Sequence, residues 1–419
     1  MKIVVVGGAS TYTPELIDGF ARMHAVLPLK EVVLVDPQQD RLQLVGAMSQ
    51  RIVDGFDRPY RIRLEQDLVR AVSGADVVLI QLRVGGQAAR ARDERMPLDL
   101  GCIGQETTGV GGLAMALRTV PVVLDVARVV AEHAPDAWII DFTNPVGIMT
   151  RALLMAGHRA VGLCNVAIGM QHFFADLLEV EPERVVMSHV GLNHLTWERA
   201  VHMDGVDRLP ELVSAHPELL GRRVKLPAAV VSHLGIVPSY YLRYYYCHDE
   251  VLAEQRTGPL RAEEVQQIEK ELLDLYADPT VVAKPEALSR RGGALYSESA
   301  VQLMASLVGT RPGRHVVNAL NRGTLDFLPD DAVVETSAQV SPGRMELERI
   351  PALPPVVRGL VADVYAYEEL ALEAALHGGR DRVVSALVAH PLVRQWDRAE
   401  QLADRIIEQN RDHLPWTRS

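Results

Sequence analysis

A short apolar run spans Lys2 to Val6, and the polar turn Gly7-Gly8-Ala9-Ser10-Thr11-Tyr12-Thr13-Pro14 follows it. An apolar run of this length closed by turn residues predicts a buried strand. Thr13 ahead of Pro14 and Glu15 predicts a helix start, with Thr13 as N-cap and proline in the first helical position. Leu16, Ile17, Phe20 and Met23 then fall on one helical face, and Glu31 to Val35 forms a second apolar run ending at Asp36. Strand, turn, helix and strand in this order make a βαβ unit.

The alternation continues. Asp76 to Leu82 and Ala137 to Phe142 have the apolar texture of strands buried on both faces, and Ala160 to Leu163 is a shorter example. Helical stretches lie between them, one over Pro121 to Glu132 with Pro121 expected to open it. This predicts an α/β fold, a Rossmann-like doubly wound parallel sheet, over residues 1–190. The texture changes afterwards. Val185 to Val190 and Thr196 to His202 read as strands, Ala262 to Tyr276 and Leu360 to Ala375 as amphipathic helices, and Pro351-Ala352-Leu353-Pro354-Pro355 as a stiff connector. Residues 191–419 are therefore expected to form an α+β domain folded against the first.

Composition narrows the partners. A chain of 419 residues exceeds one comfortable core, so two packed domains are expected. With 48% hydrophobic and 23% charged residues it has the balance of a water-soluble globular protein. A formal charge of −11 argues against nucleic acid or an anionic membrane as partner. Cys102, Cys164 and Cys247 are three widely spaced cysteines, which suits a reducing compartment. With no signal-peptide pattern and no apolar stretch long enough to span a bilayer, the expected location is cytoplasmic.

The chemistry concentrates at the ends of the expected strands. The turn gives Gly7-x-Ala9-x-x-Tyr12 where a dinucleotide fingerprint would read G-x-G-x-x-G, so only the first glycine matches. Its context is better: it follows a strand, opens a helix, and Asp36 ends the next strand. An acid there accepts from ribose hydroxyls and repels a 2′-phosphate, favouring NAD over NADP. Cys164, in Val161-Gly162-Leu163-Cys164-Asn165-Val166, ends a strand on the ligand-binding side, and His194 lies in Gly191-Leu192-Asn193-His194-Leu195. A thiolate and a neutral imidazole can ligate a divalent ion and leave positions open for substrate oxygens. Glu106 stands in the loop Gly104-Gln105-Glu106-Thr107-Thr108-Gly109, and Asn144 follows a strand in Phe142-Thr143-Asn144-Pro145. Arg90 can pair with a substrate anion or with adjacent acids. Tyr240, Tyr241, Tyr244, Tyr245 and Tyr246 gather five of the eleven tyrosines, and a phenol beside a cation can act as a base.

Together these segments, with Pro238-Ser239-Tyr240-Tyr241-Leu242-Arg243 and Arg291-Gly292-Gly293-Ala294-Leu295-Tyr296-Ser297, resemble glycoside hydrolase family 4 over nearly the whole chain. Asn165, directly after the metal cysteine, resembles the 6-phospho-β-glucosidase group. Ala9, Val110 and Ala167 depart from the family's usual residues close to the cofactor or metal. The resemblance implies a lactate/malate dehydrogenase-like architecture, with NAD and a divalent metal, Mn²⁺ foremost, as cofactors. NAD would be held by Gly7, Ala9, Ser10, Thr11 and Asp36, and the metal by Cys164 and His194. Substrate would be held by Arg90, Asn144, Asn165 and Arg291.

The implied reaction is an elimination outside the usual two-carboxylate scheme. Transient oxidation at C3 acidifies C2, Tyr241 removes that proton, the aglycone leaves, water adds, and the ketone is reduced again. Glu106 would raise the basicity of the tyrosine, and Asn165 would complete the catalytic set. The implied substrate is a phosphorylated disaccharide or aryl glucoside, and the implied assembly a homodimer or homotetramer. A family member acting on α-linked or unphosphorylated sugars would share most of these motifs. An NAD-dependent hydroxy-acid dehydrogenase, which needs a His-Asp pair and a substrate-binding arginine instead of a Cys-His metal site, would share the fold. A non-catalytic NAD sensor is the third alternative.

Overall fold

The computed structural model describes residues 1–293, 295–309 and 311–417. Its thirteen strands form one sheet. The first six are β1 (Lys2–Val6), β2 (Glu31–Val35), β3 (Arg61–Glu65), β4 (Val77–Ile80), β5 (Trp138–Asp141) and β6 (Ala160–Gly162). They are parallel, in the order β3-β2-β1-β4-β5-β6. This is the strand order of dinucleotide-binding folds, with its reversal between β1 and β4. The remainder are β7 (Val185–Leu192), β8 (Leu195–Met203), β9 (Val206–Asp207), β10 (Val237–Pro238), β11 (Gly313–Leu320), β12 (Val333–Ser341) and β13 (Arg344–Leu347). They extend the sheet from β6 as β11-β12-β7-β8-β10, antiparallel throughout, with β13 on β12 and β9 on β8.

The central parallel strands are buried on both faces. Val4, Val6, Val78, Ile80 and Ile139 pack into one core that includes Leu113, Leu117 and Val120 of the helix Gly109–His133. Ile3, Val5, Leu34, Leu79 and Ile140 face the opposite core with Leu16, Ile17 and Phe20 of the helix Thr13–Arg22. Alternate residues serving two cores explain why these strands read as continuous apolar runs. The expected boundary at 190/191 falls inside β7, so a strand carries the chain from one part into the other. Among the described residues, no helix is long and apolar enough to cross a membrane.

Two local expectations are corrected. Pro121 does not open a helix; it lies inside Gly109–His133, which starts after the extended Thr108. An internal proline costs about 3 kcal/mol, but Leu113 to Val120 are almost wholly buried, and that packing keeps the helix continuous. Thr13 is the first helical residue rather than the N-cap, which is Tyr12. Its hydroxyl instead accepts from Gln81 Nε2 at 2.9 Å, tying the helix start to the end of β4.

Asp141 ends β5 fully buried, with Oδ1 accepting from Thr143 N at 3.1 Å. Burial pushes its carboxyl up to about 8 although Thr143 donates to it. Because the folded value lies above the unfolded one, the group favours folding most below about pH 4, and this contribution is lost as pH rises through about 8. Asp141→Asn keeps the Oδ1 acceptor and removes the titration. Relative to the parent, its melting temperature should be nearly level at pH 4 and higher by about a few degrees at pH 8. A difference that does not grow with pH would contradict this account.

Candidate active site

The turn after β1 is shaped by close approach. Gly7 has φ +87°, and a Cβ there would lie 2.7 Å from the carbonyl oxygen of Gln81. Only glycine allows that conformation beside the neighbouring strand. Asp36 accepts from Ala9 N at 3.3 Å and from Gln38 N at 2.9 Å, so its carboxylate is fixed at the end of β2. Thr11 is buried; its hydroxyl donates to Glu269 Oε1 at 3.2 Å and accepts from Arg291 Nε at 2.7 Å. Gly7, Ala9, Ser10, Thr11 and Asp36 thus lie at one sheet edge, with Arg291 beside them. Glu269, on the helix Arg261–Ala277, also accepts from Gln87 at 3.1 Å and from Arg41 at 3.2 Å. Burial opposes its charge, but Arg291 and Arg41 hold the carboxyl below its ordinary range.

Cys164 follows β6 and is buried. Burial, assisted by Glu335, pushes its thiol up to about 12 against hydrogen bonds from Val166 N and from the side chains of Asn193 and Tyr296. His194 sits in the two-residue turn between β7 and β8, in the left-handed region at φ +63°. Burial lowers it to about 4, so the ring is neutral. Its tautomer follows from the hydrogen bonds. The Thr107 hydroxyl donates to Gln105 Oε1 at 2.9 Å, so His194 Nδ1–H donates to Thr107 Oγ1 at 2.8 Å. The Nε2 lone pair is left able to ligate a metal. The two residues belong to one site: Glu335 acts electrostatically on both, and Tyr241, stacked on His194, feels Cys164.

This donor set fits a divalent ion. It offers one soft sulfur and one neutral imidazole nitrogen, and among the described residues no group of three or more His, Cys, Asp and Glu converges on a metal position. A two-ligand site keeps most of the coordination sphere for substrate oxygens. Asn144 lies just past β5, with its buried Oδ1 lacking a partner among the described residues. That acceptor is available to a sugar hydroxyl or a carboxamide. Asn165 lies between Cys164 and the helix Val166–Leu178, at that helix's N-cap position.

The ring of Tyr241 stacks on His194 with centroids 3.8 Å apart and planes 11° apart, and Tyr240 lies 4.2 Å beyond it. Burial, then Tyr240 and Cys164, push the Tyr241 phenol well above its ordinary value. Glu106, the acid expected to act on this tyrosine, has its oxygens on Arg83 and on Arg90, the latter at 3.1 Å. Burial works against its charge, yet the two arginines bring its carboxyl below the usual range. Arg90 is the member coupled to Tyr241. It is itself clamped by Glu94 at 2.7 Å and by Glu106, so it is a held cation rather than a free one.

Several members of the site went unread in the sequence. Gln105, Thr107, Asn193 and Tyr296 lie in the quoted segments, and that proximity was their only signal; Arg83, just past the apolar run ending at Leu82, had none. Glu335, His189, Glu198 and Glu269 carry no local signature, since register and helix packing bring them in.

Strand order, the glycine turn after β1 and the cysteine–histidine pair define an α/β protein of the class that suits a dinucleotide beside a divalent metal. The chain belongs to the family 4 glycosyl hydrolases: residues 2–180 match the model of that family, and residues 189–393 match that of the family 4 glycosyl hydrolase C-terminal domain. It is 36% identical to the 6-phospho-β-glucosidase of Escherichia coli (strain K12), over 99% of this chain and 96% of that one. The 6-phospho-β-glucosidase of Thermotoga maritima, solved with manganese, NAD⁺ and glucose-6-phosphate, superposes with a TM-score of 0.92 at 33% identity over 99% of both chains. The fold extends to malate dehydrogenase from Salinibacter ruber, at TM-score 0.56 and 17% identity over 91% of this chain and 99% of that one.

Proposed function

We propose that this protein hydrolyses 6-phospho-β-glucosides, using NAD and a divalent metal, Mn²⁺ foremost. The observation that carries the reading is the neutral His194, its Nε2 lone pair left for a metal, stacked under Tyr241 beside Cys164. The names of the E. coli and T. maritima relatives support the substrate class, and the T. maritima complex supports both cofactors. Bound NAD would supply a reversible hydride acceptor for C3, and a metal held by Cys164 and His194 the positive charge that acidifies C2.

The chain's own residues do the rest. Tyr241 takes the C2 proton, and the Arg90 guanidinium favours its phenolate. Glu106 holds Arg83 and Arg90 in place. Asn144 Oδ1 accepts from a sugar hydroxyl, and Asn165 contacts the sugar beside Cys164. Arg291, held by Thr11 and Glu269, would bind the sugar phosphate. Tyr240, exposed and 4.2 Å from Tyr241, would face the aglycone. The same reading assigns residues 1–190 to NAD and 191–419 to substrate, metal and assembly as a homodimer or homotetramer, in the cytoplasm.

Incubation with p-nitrophenyl β-glucoside 6-phosphate is expected to release nitrophenol only when NAD and Mn²⁺ are both present. NADH accumulating in proportion to substrate, without nitrophenol, would instead favour a dehydrogenase. The α-anomer and the unphosphorylated glucoside should react far more slowly, and equal rates would overturn the substrate assignment. Asp36→Ser should narrow the preference for NAD⁺ over NADP⁺ by about tenfold or more, because a carboxylate facing a 2′-phosphate is repulsive. Fluorescence titration with each nucleotide reads this directly, and an unchanged ratio would remove Asp36 from the ribose site.

A further inference from the structure

A buried carboxylate that the proposed reaction does not use stands between the two metal-ligand segments. Glu335 is on β12 and 1% exposed. It is in register with Asn318 of β11 on one side and with Gly191 of β7 on the other. Asn318 is in turn paired with Gly162, two residues before Cys164. Gly191 is three residues before His194. A single line of backbone pairs, Gly162-Asn318-Glu335-Gly191, therefore connects both ligands, with Glu335 inside it.

The side chains repeat that connection. Glu335 Oε2 accepts from Asn193 Nδ2 at 2.7 Å and from Asn318 Nδ2 at 3.1 Å. Asn193 precedes His194 in the turn, and its side chain also hydrogen-bonds Cys164. Glu335 Oε1 lies 3.2 Å from His189 Nε2, while His189 Nδ1 lies 2.6 Å from Glu198 Oε1. Burial opposes a charge on His189, but Glu198 and Glu335 lift it to about 10, so both ring nitrogens donate. The turn has little freedom of its own. Gly191 sits at φ +145°, where a Cβ would lie 2.0 Å from the Leu195 carbonyl oxygen, and His194 is left-handed. The turn's side chains are then fixed by their partners, Asn193 by Glu335 and His194 by Thr107 and Tyr241.

We propose that Glu335, backed by His189 and Glu198, is a positioning residue that sets the placement of Cys164 and His194 for the metal through Asn193 and Asn318. It touches neither substrate nor cofactor. Outer-shell partners of metal ligands typically contribute about 10- to 100-fold in affinity. The carboxylate accepts from three donors at once; the glutamine amide must turn an N–H toward one of them, and Asn193 or His189 then loses its acceptor.

The inference rests on Cys164 and His194 being the ligands, and the test separates the two questions. The whole protein is titrated with Co²⁺, following the near-ultraviolet thiolate-to-cobalt band, and with NAD by fluorescence. The band must appear in the unmodified protein and vanish in Cys164→Ser; its absence overturns the ligand assignment, and this inference with it. Glu335→Gln should weaken Co²⁺ binding about 10- to 100-fold and alter the band at saturation, with NAD affinity within about twofold. Unchanged metal affinity overturns the proposal, and so does a parallel loss of both affinities, which marks a merely structural role. Should Glu335→Gln fail to fold, Asn318→Ala leaves the carboxylate in place and decides the matter. A loss of about threefold or more in Co²⁺ affinity supports the proposal, and no loss overturns it.

Discussion

Replacing Tyr241 by phenylalanine should lower kcat on the phosphorylated aryl glucoside by about 10²- to 10⁴-fold, the usual worth of a positioned general base. That range corresponds to about 3 to 5 kcal/mol of transition-state stabilisation. Phenylalanine keeps the ring that stacks on His194 at 3.8 Å and on Tyr240 at 4.2 Å, so the site should keep its shape. Only the hydroxyl is lost. Binding of NAD and of Mn²⁺ should change by no more than about twofold, because neither contacts that oxygen on this reading. The expected signature is a fall in kcat with little change in KM. In the unmodified protein a substrate deuterated at C2 should react more slowly wherever proton removal limits the rate. Full activity in Tyr241→Phe would move the base elsewhere in the tyrosine cluster. Burial holds the Tyr241 phenol well above its ordinary value, so the base form must be stabilised by the charges that surround it during turnover. Arg90 is the permanent positive group coupled to it, and Arg90→Gln should therefore also cost rate.

The parallel half of the fold was legible because its signals are local. β1 and β2 coincide with the apolar runs 2–6 and 31–35, and the glycine turn between them is required by the approach of Gln81. Pro121 misled because proline is a strong local signal, whereas the burial that overrides it comes from distant strands. The same division holds in the site. Cys164, His194, Asn144 and Tyr241 each sit in a recognisable short segment. Arg83 was missed because its role depends on a loop that folds back to bring Glu106 beside it. Glu335 lies 141 positions after His194 and reaches it only through the β7–β12 register. No spacing rule spans that distance. How Glu106 is held was illegible for a related reason: the sequence shows an acid in a glycine-flanked loop but not the two arginines that take up its oxygens.

Cys164→Ser is the corresponding test of the metal pair. Serine preserves size, but its hydroxyl stays protonated where a thiol gives a thiolate, so only His194 Nε2 remains as an effective protein ligand. Mn²⁺ affinity should fall by about 100-fold or more, beyond what outer-shell changes produce. Activity at a fixed, modest Mn²⁺ concentration should fall with it and recover only in part when the metal is raised. NAD affinity should hold within about twofold, because the turn after β1, with Gly7, Ala9 and Thr11, and Asp36 after β2 do not involve Cys164. Two controls make the result decisive. Cys102→Ser removes another buried cysteine, one that packs near Arg398 far along the chain, and should leave metal binding unchanged. Thr107→Val removes the acceptor that fixes His194 Nδ1–H, so it should weaken Mn²⁺ binding about tenfold without removing a ligand. A graded series, with Cys164→Ser below Thr107→Val and both below Cys102→Ser, is what a two-ligand site with a hydrogen-bonded outer layer requires. Equal Mn²⁺ affinity in Cys164→Ser and the parent would place the metal elsewhere, and the elimination chemistry would lose its means of acidifying C2.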